Sequence, residues 1–139
     1  MTDLKLLSYT TEHLEAKLFP NVTDMGDNVQ NTLGFNCQTG HAPDLKNAGL
    51  RIDLCVTAKN ADADKPFTHI KGIFYFTFET NEMQSVPEVD KYLQTTGVQI
   101  VLPIIRGIIV GIAKMLNLPD VFSFPTVNSS DVEWSDLPN

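Results

Sequence analysis

The sequence is poor in the residues that build metal sites, disulfide scaffolds and nucleic-acid-binding surfaces. Its 139 residues include only two cysteines, three histidines and ten basic residues, against seventeen acidic ones. The formal net charge of -7 would repel a phosphate backbone or an anionic membrane surface. We therefore expect a protein without cofactor or metal that binds neither nucleic acid nor a lipid surface.

Catalytic motifs are also missing. The sequence contains no G-x-G-x-x-G, no G-x-x-x-x-G-K-[ST] and no G-x-S-x-G pattern, so nucleotide cradles and nucleophile elbows have no support. Cys37 and Cys55 fall in opposite phases of their predicted strands, which predicts two free thiols. Glu12 and Glu15 would lie on opposite faces of a regular strand, which is poor geometry for shared acid–base catalysis. The prediction is a protein that is not an enzyme.

One long apolar run, Val98–Leu118, raises the question of a membrane-spanning helix. The run contains Gln99, Pro103, Arg106 and Lys114, and each central charge costs ~2.5–3.5 kcal/mol on insertion. The N-terminus lacks the basic and apolar regions of a secretory signal. We predict a buried helix, no membrane insertion and a cytoplasmic location.

Alternation of apolar and polar residues, which is typical of strands, predicts four of them. The first covers Leu4–Phe19 with a bulge around Thr10–His13. The turn-rich segment Pro20–Gln30 is too long for a tight hairpin and predicts a crossing loop. Three further strands follow as an antiparallel meander, each marked by one apolar face: Leu33, Phe35 and Cys37; Leu50, Ile52, Leu54 and Val56; Ile70, Phe74, Phe76 and Phe78.

Helical signals follow the fourth strand. Ser85-Val86-Pro87-Glu88 has the S-x-x-E pattern of a capping box and opens a short helix through about Gln94. Thr95 or Thr96 would cap a second, long helix, and Val127–Asn139 has room for at most one short terminal helix. The prediction is one α+β domain over residues 1–139, with a four-stranded antiparallel sheet, a crossing loop after strand 1, a short helix and one long C-terminal helix.

The long helix is apolar around most of its circumference. One sheet can cover only one of its two apolar sides in a domain of this size, so the other side predicts a partner subunit. Gly107 and Gly111 lie one helical turn apart and would let another backbone approach closely, the alternative being that they pack against the chain's own sheet. We predict a homo-oligomer with Ile104, Gly107, Ile108 and Gly111 in its interface.

Short motifs in the second half of the chain point to a known family. Gly72-Ile73-Phe74 lies in the fourth predicted strand and Leu102-Pro103-Ile104-Ile105-Arg106 at the start of the long helix, and the tail contains Leu118-Pro119 and Phe124-Pro125-Thr126-Val127-Asn128. With these motifs in this order, the chain resembles the SecB family of protein-export chaperones. Thr95-Thr96-Gly97 is similar to the SecB-like chaperones attached to toxin–antitoxin systems.

The resemblance implies a function and an assembly. Family members are tetramers, arranged as dimers of dimers, that hold unfolded polypeptides in apolar grooves without ATP. Export members pass the client to the SecA motor, but Phe67 stands where those members carry an acidic residue, which weakens the SecA inference. Ile104 and Gly107 also replace an aromatic and an acidic residue of the family. The resemblance thus implies unfolded clients and a homo-tetramer more strongly than it implies SecA.

A chaperone that holds unfolded chains needs apolar side chains near a groove. Four residues near predicted loops or in the tail are candidates for client contact: Phe19, Phe35, Val132 and Trp134. Burial in the core is the plainer interpretation of each one alone. Two alternatives stay open. One is a small-molecule-binding α+β protein with His41 or His69 as the polar group of its pocket, and the other is a dedicated partner or scaffold chaperone of the antitoxin type.

Overall fold

A five-stranded sheet with one long helix on it forms the described part of the chain. The computed structural model describes residues 3–18, 29–60, 66, 68–81, 85–116 and 133–136. The strands are β1 (Asp3–Leu18), β2 (Val29–His41), β3 (Asn47–Asn60), β4 (Thr68–Asn81) and β5 (Glu133–Asp136), in the order β1-β4-β3-β2-β5. β1 pairs with β4, while the next strand in sequence, β2, lies beyond β3. This strand order agrees with the predicted crossing connection, whose residues 20–28 lie outside the described ones.

The prediction of four strands missed the short strand near the C-terminus. β5 pairs in parallel with β2, where Cys37 lies opposite Trp134, so the described sheet is mixed and has five strands. Four residues are too few to show a strand periodicity, and the sequence analysis allowed only a short helix in this region. The α+β class, with three consecutive antiparallel strands and a long C-terminal helix, is confirmed.

Two bulges bend β1. Its register on β4 shifts at Leu7 and again at Glu12, and the second shift confirms the predicted bulge. The bulge at Glu12 changes the phase of the strand before Glu15, so both carboxylates reach cations on the same face, contrary to the prediction for a regular strand. Glu12 Oε2 lies 3.1 Å from Arg51 Nε, and Glu15 Oε1 lies 3.2 Å from Lys17 Nζ. The two carboxylates therefore have different cationic partners.

The helical region begins as the capping box predicts. Ser85 precedes α1 (Val86–Tyr92), and its hydroxyl oxygen accepts a hydrogen bond of 3.3 Å from the backbone N–H of Glu88. A π-helical turn (Leu93–Gly97) then leads directly into α2 (Val98–Met115). The two predicted helices are thus joined into one of 30 residues.

The π turn replaces the predicted break between the helices. Neither Thr95 nor Thr96 caps α2, whose N-terminus has no side-chain cap. The Thr95 hydroxyl donates instead to the carbonyl of Lys91 at 2.8 Å, a bond within a continuous helix. Gly97 is buried in this turn, and a Cβ there would lie 3.4 Å from the Leu4 side chain. The turn therefore brings the helix close to β1.

The core lies between one face of the sheet and one side of the helix. Alternate residues of β2, β3 and β4 are buried on this face, because successive side chains of a strand point to opposite sides. Its largest members are Phe74, Phe76, Phe78, Leu50, Ile52, Leu54, Ile70, Leu93, Ile105 and Ile109. The other face, called here the open face, carries the intervening residues of the same strands, among them Arg51, Asp53 and Lys71.

Length and composition alone would let the helix Val86–Met115 cross a membrane, since the mean hydropathy of an 18-residue window within it is 1.9. Only 28% of that window is buried, because the sheet covers one side of the helix. The prediction of a buried helix therefore holds for that side. The remaining apolar surface has no cover among the described residues.

Candidate functional site

The outward side of α2 forms a shallow groove of about 480 Å³. Its lining combines a proline, two glycines and a valine with two cations: Pro103, Arg106, Gly107, Val110, Gly111 and Lys114. Ile104 and Ile108 lie on the flank of this side and are half-buried, whereas their neighbours Ile105 and Ile109 are fully buried against the sheet. Met115, at the end of α2, is 82% exposed. The four predicted interface residues therefore lie on or beside one surface.

The two glycines of this groove do not pack against the chain's own sheet. A Cβ built on Gly107 or on Gly111 would meet no atom within 4 Å. Glycine in a helix costs about 1 kcal/mol relative to alanine, and nothing in the described chain uses the missing side chain. Among the described residues the glycines therefore do not serve the contact between sheet and helix, and their place in a subunit interface stays a prediction.

β1 supplies a second apolar surface, which the sequence analysis missed. This strand is one edge of the sheet, and three of its large apolar residues are about half exposed: Leu7 (49%), Tyr9 (48%) and Leu14 (42%). The Tyr9 ring stacks on Phe76 with a centroid separation of 5.6 Å, so this surface continues from the core. The broken alternation of β1 was visible in the sequence, but its position at the edge depends on strand order.

The residues predicted to contact client are not brought together as one exposed cluster in the described chain. Phe35 is buried in the core at 6% exposure. Trp134 of β5 is half-buried and packs against the same core. Phe19 and Val132 lie outside the described residues. A client role for these four residues stays a prediction.

A polar pocket of about 270 Å³ lies where β5 meets the open face. It is lined by Asn36, Gln38, Arg51, Asp53, Trp134 and Ser135. Arg51 is held in place because its Nε donates to Glu12 Oε2 at 3.1 Å and its Nη1 donates to Gln38 Oε1 at 3.0 Å. Five of its six lining residues are polar or charged and only Trp134 is apolar, whereas small-molecule sites are lined mainly by apolar side chains.

The positions of His41 and His69 do not support the alternative of a small-molecule-binding protein. His41 is exposed, with Nδ1 3.1 Å from the carbonyl oxygen of Ala42, and His69 lies beside Cys55 on the open face. Neither histidine lines the groove or the polar pocket. Across the described part of the chain no group of three or more His, Cys, Asp or Glu residues could hold a metal ion.

Glu15 is a partly exposed carboxylate whose pKa is lowered. The hydrogen bond and the charge of Lys17 lower the pKa of Glu15, and His13, whose Nε2 lies 3.6 Å from Glu15 Oε2, acts in the same direction. The Glu15 side chain is 37% exposed, so screening by water makes this pair a minor contributor to stability. It marks a solvated strand edge.

Comparison with known proteins places the fold. No protein-family model matches the sequence, and no curated protein matches it. Among solved structures, the chain is similar to the Mycobacterium tuberculosis Rv1957 SecB-like chaperone in complex with a ChAD peptide from the Rv1956 HigA1 antitoxin. The TM-score is 0.72 at 16% sequence identity, and the match covers 90% of this chain and 91% of that chain. The fold is that of the SecB-like chaperones.

The two apolar surfaces lie on the two main parts of the SecB-like fold. The groove lies on the long helix α2, and the exposed edge of β1 lies on the sheet. The resemblance stated from the sequence motifs is confirmed at the level of fold. The solved neighbour binds a peptide of another protein.

Proposed function

We propose that this protein is an ATP-independent chaperone that holds unfolded polypeptides. The observation that carries the proposal is a SecB-like fold in which a long apolar helix is only partly covered by its own sheet. A net charge of -7 would keep such a surface soluble. The peptide bound by the neighbouring structure supports polypeptides as the class of client.

The proposal places the protein in the cytoplasm and gives it no catalytic activity and no membrane insertion. Holding a client by apolar burial needs neither a nucleophile nor a nucleotide, because the free energy comes from removing apolar surface from water. Met115 and the apolar residues of the groove would be covered by protein and not by lipid. These three points rest on the function proposed above.

We also propose a homo-tetramer arranged as a dimer of dimers. Such an assembly requires two different self-complementary surfaces on each subunit. The chain offers two, the outward side of α2 with Gly107 and Gly111 and the edge of β1 with Leu7, Tyr9 and Leu14. A long edge strand with exposed apolar residues favours pairing with another strand.

Two substitutions test the assembly. Gly107→Leu adds a side chain where the subunit itself has open space, so it should spare the fold and block the contact through α2. Leu14→Lys puts a charge on the edge of β1 and should block the second contact. Light scattering should show the wild-type mass halved in each variant and quartered in the double variant. A wild-type monomer at micromolar concentration would refute the assembly.

The chaperone activity itself is tested by aggregation of an unrelated unfolded polypeptide. Stoichiometric protein should suppress the aggregation without nucleotide. His41→Gln, an exposed change away from both apolar surfaces, is the matched control and should act like the wild type. Suppression of aggregation that needs ATP would refute the proposal. So would a lack of suppression at about a fourfold molar excess of tetramer, an excess on the order expected for a weak micromolar complex.

A dedicated partner chaperone of the antitoxin type is the second candidate. The observation in its favour is the antitoxin peptide in the neighbouring structure. A pull-down from the native cell would recover one partner in that case and many unfolded proteins in the case of a general chaperone. Delivery to SecA stays a prediction, since Phe67, on which the argument against it depends, lies outside the described residues.

A further inference from the structure

The strand β5 covers only part of the sheet edge on which it lies. It pairs with Asn36–Thr39, whereas β2 has 13 residues. The preceding residues Leu33–Phe35 pair with β3 and with no other described strand. Gly34 in this stretch is exposed, and a Cβ built on it would meet no atom within 4 Å. The edge of β2 therefore has room for a longer strand than β5.

One side chain accounts for most of the attachment of β5. The strand consists of Glu133, Trp134, Ser135 and Asp136, and only the half-buried indole is apolar and packs against the core. Aspartate and glutamate are depleted in strands, and parallel pairing is slightly less stable per residue than antiparallel pairing. A short strand with one apolar anchor belongs to the elements that open at low free-energy cost.

The register shows which side chains a strand in this place needs. Trp134 lies opposite Cys37 on the core face, so alternate positions of a longer parallel strand would lie opposite Phe35 and Leu33 on the same face. Phe35 is buried, and Leu33 is half-buried against the core. Apolar side chains at these positions would extend the core. The positions between them face the polar pocket that Ser135 lines, where polar side chains fit.

We propose that the edge of β2 binds an extended polypeptide as an added parallel strand, and that β5 occupies this place until the polypeptide displaces it. The polypeptide has apolar residues at alternate positions, one of them aromatic, and its backbone pairs with β2 in the manner of β-strand addition. This binding mode rests on the chaperone function proposed above for the class of occupant. A single extended segment fits better than the sheet of a second copy, because β5 projects from the edge at Asn36–Thr39 and blocks flush pairing of two sheets.

Such an exchange makes β5 a competitor of the polypeptide. The measured affinity is lowered by the fraction of molecules in which β5 covers the edge. Trp134→Ala removes the anchor of β5 and should lower the dissociation constant of the polypeptide about fivefold or more. A dissociation constant that rises in this variant would show that Trp134 itself contacts the polypeptide, and would overturn the exchange.

The fluorescence of Trp134, the only tryptophan in the sequence, measures displacement in the wild-type protein. The ligand is a short peptide without tryptophan in which Phe, Val and Leu alternate with Ser and Thr. Its binding should move the emission to longer wavelengths, towards that of the urea-unfolded chain, because the indole leaves the core. Two control peptides should bind weakly and cause no shift: one of the same composition with its apolar residues grouped, and the alternating peptide with a methylated backbone. Binding of the alternating peptide without a shift, or equal binding of the methylated peptide, would overturn the proposal.

A disulfide between β5 and β2 tests whether β5 has to leave. Gln38→Cys and Ser135→Cys replace two residues that lie opposite each other and line the polar pocket, in a chain without its two native cysteines. The oxidised variant should bind the alternating peptide about tenfold more weakly or less, and reduction should restore binding. Ser8→Cys with Thr77→Cys, an opposite pair of β1 and β4, is the control disulfide and should leave binding unchanged.

Unchanged binding in the oxidised variant that joins β5 to β2 would overturn the proposal. Melting curves check that each variant folds, and mass spectrometry checks that each disulfide forms. If either fails, the emission of the wild-type protein decides.

The strand exchange and the chaperone function can fail separately. A protein that suppresses aggregation while its tryptophan emission stays unchanged on binding the peptide retains the chaperone function and rejects the exchange. A protein that shows the shift with the peptide but does not suppress aggregation retains the binding site and rejects the chaperone function. A shift on concentrating the protein without peptide would assign the edge of β2 to a second copy and overturn the proposal.

Discussion

The sheet side of α2 and its outward flank both carry isoleucines, but the surroundings of these isoleucines are opposite. On the sheet side, Val101, Ile105 and Ile109 are completely buried. On the outward side, Ile104 and Ile108 are half-buried, and Gly107 has open space where a side chain would be. Composition alone therefore does not say which side forms the core, and the sheet decides it.

The difference teaches that the outward side of α2 has a free-energy cost that no described residue of the subunit offsets. Exposed apolar surface is unfavourable by roughly 25 cal/mol per Å², and glycines in the middle of a helix lower its stability further. Both features become favourable once a second surface packs on them. The following predictions begin with the direct comparison of the two sides, where the largest effect is expected.

The largest effect should come from truncating adjacent isoleucines on the two sides. Ile105→Ala removes fully buried atoms and should lower the free energy of unfolding by about 2–5 kcal/mol. Ile104→Ala, the same chemical change one residue away, should cost the subunit only about 1 kcal/mol. Chemical denaturation at several protein concentrations measures both. Equal losses independent of concentration would show that the outward side has no partner.

A smaller effect is expected at Gly107 on the outward side, where the sign of the change in stability is informative. Gly107→Ala should stabilise the isolated subunit by up to about 1 kcal/mol, since alanine is the better helix former. In an assembly where another backbone approaches Gly107, the same methyl group should weaken association. Melting temperatures measured below and above the concentration at which the subunits assemble separate these two effects on stability. A gain in stability at both concentrations would place the interface elsewhere.

Trp134 extends the comparison to the tail. Because it is half-buried against the core, Trp134→Ala should lower stability by less than the about 3–5 kcal/mol of a fully buried tryptophan. If its exposed part contacts client, the dissociation constant should also rise about fivefold, or about 1 kcal/mol. Titration of an unfolded fluorescent client, with melting curves and light scattering alongside, measures both. An unchanged affinity per folded oligomer would restrict Trp134 to a structural role.

The smallest effect should be that of salt on client binding. Affinity that comes from apolar burial should change by less than about twofold between low and physiological ionic strength, because screening acts mainly on exposed charge pairs. Clients without aromatic and aliphatic residues should bind poorly at either ionic strength. A steep fall in affinity with salt would point to the charged open face as the binding surface instead.

Much of the fold was predictable because it depends on local patterns. The bulge in β1, the capping box at Ser85 and the apolar faces of β2, β3 and β4 follow from periodicity and from side-chain hydrogen bonding within a few residues. β5 was not predictable, since four residues carry too weak a pattern and their parallel partner lies far away in sequence. The continuous helix through Leu93–Gly97 was also missed, because a π turn satisfies backbone groups that threonine side chains were expected to cap.

The sequence by itself determined the α+β class, the two free thiols and the excess of apolar surface on the long helix, since each depends on the spacing of residue types along the chain. Only the tertiary structure decided which side of α2 is covered, that the edge of β1 is a second apolar surface, and that Cys55 meets His69. These features depend on strand order and register, which bring together residues far apart in the chain. No local sequence pattern encodes which distant residues meet.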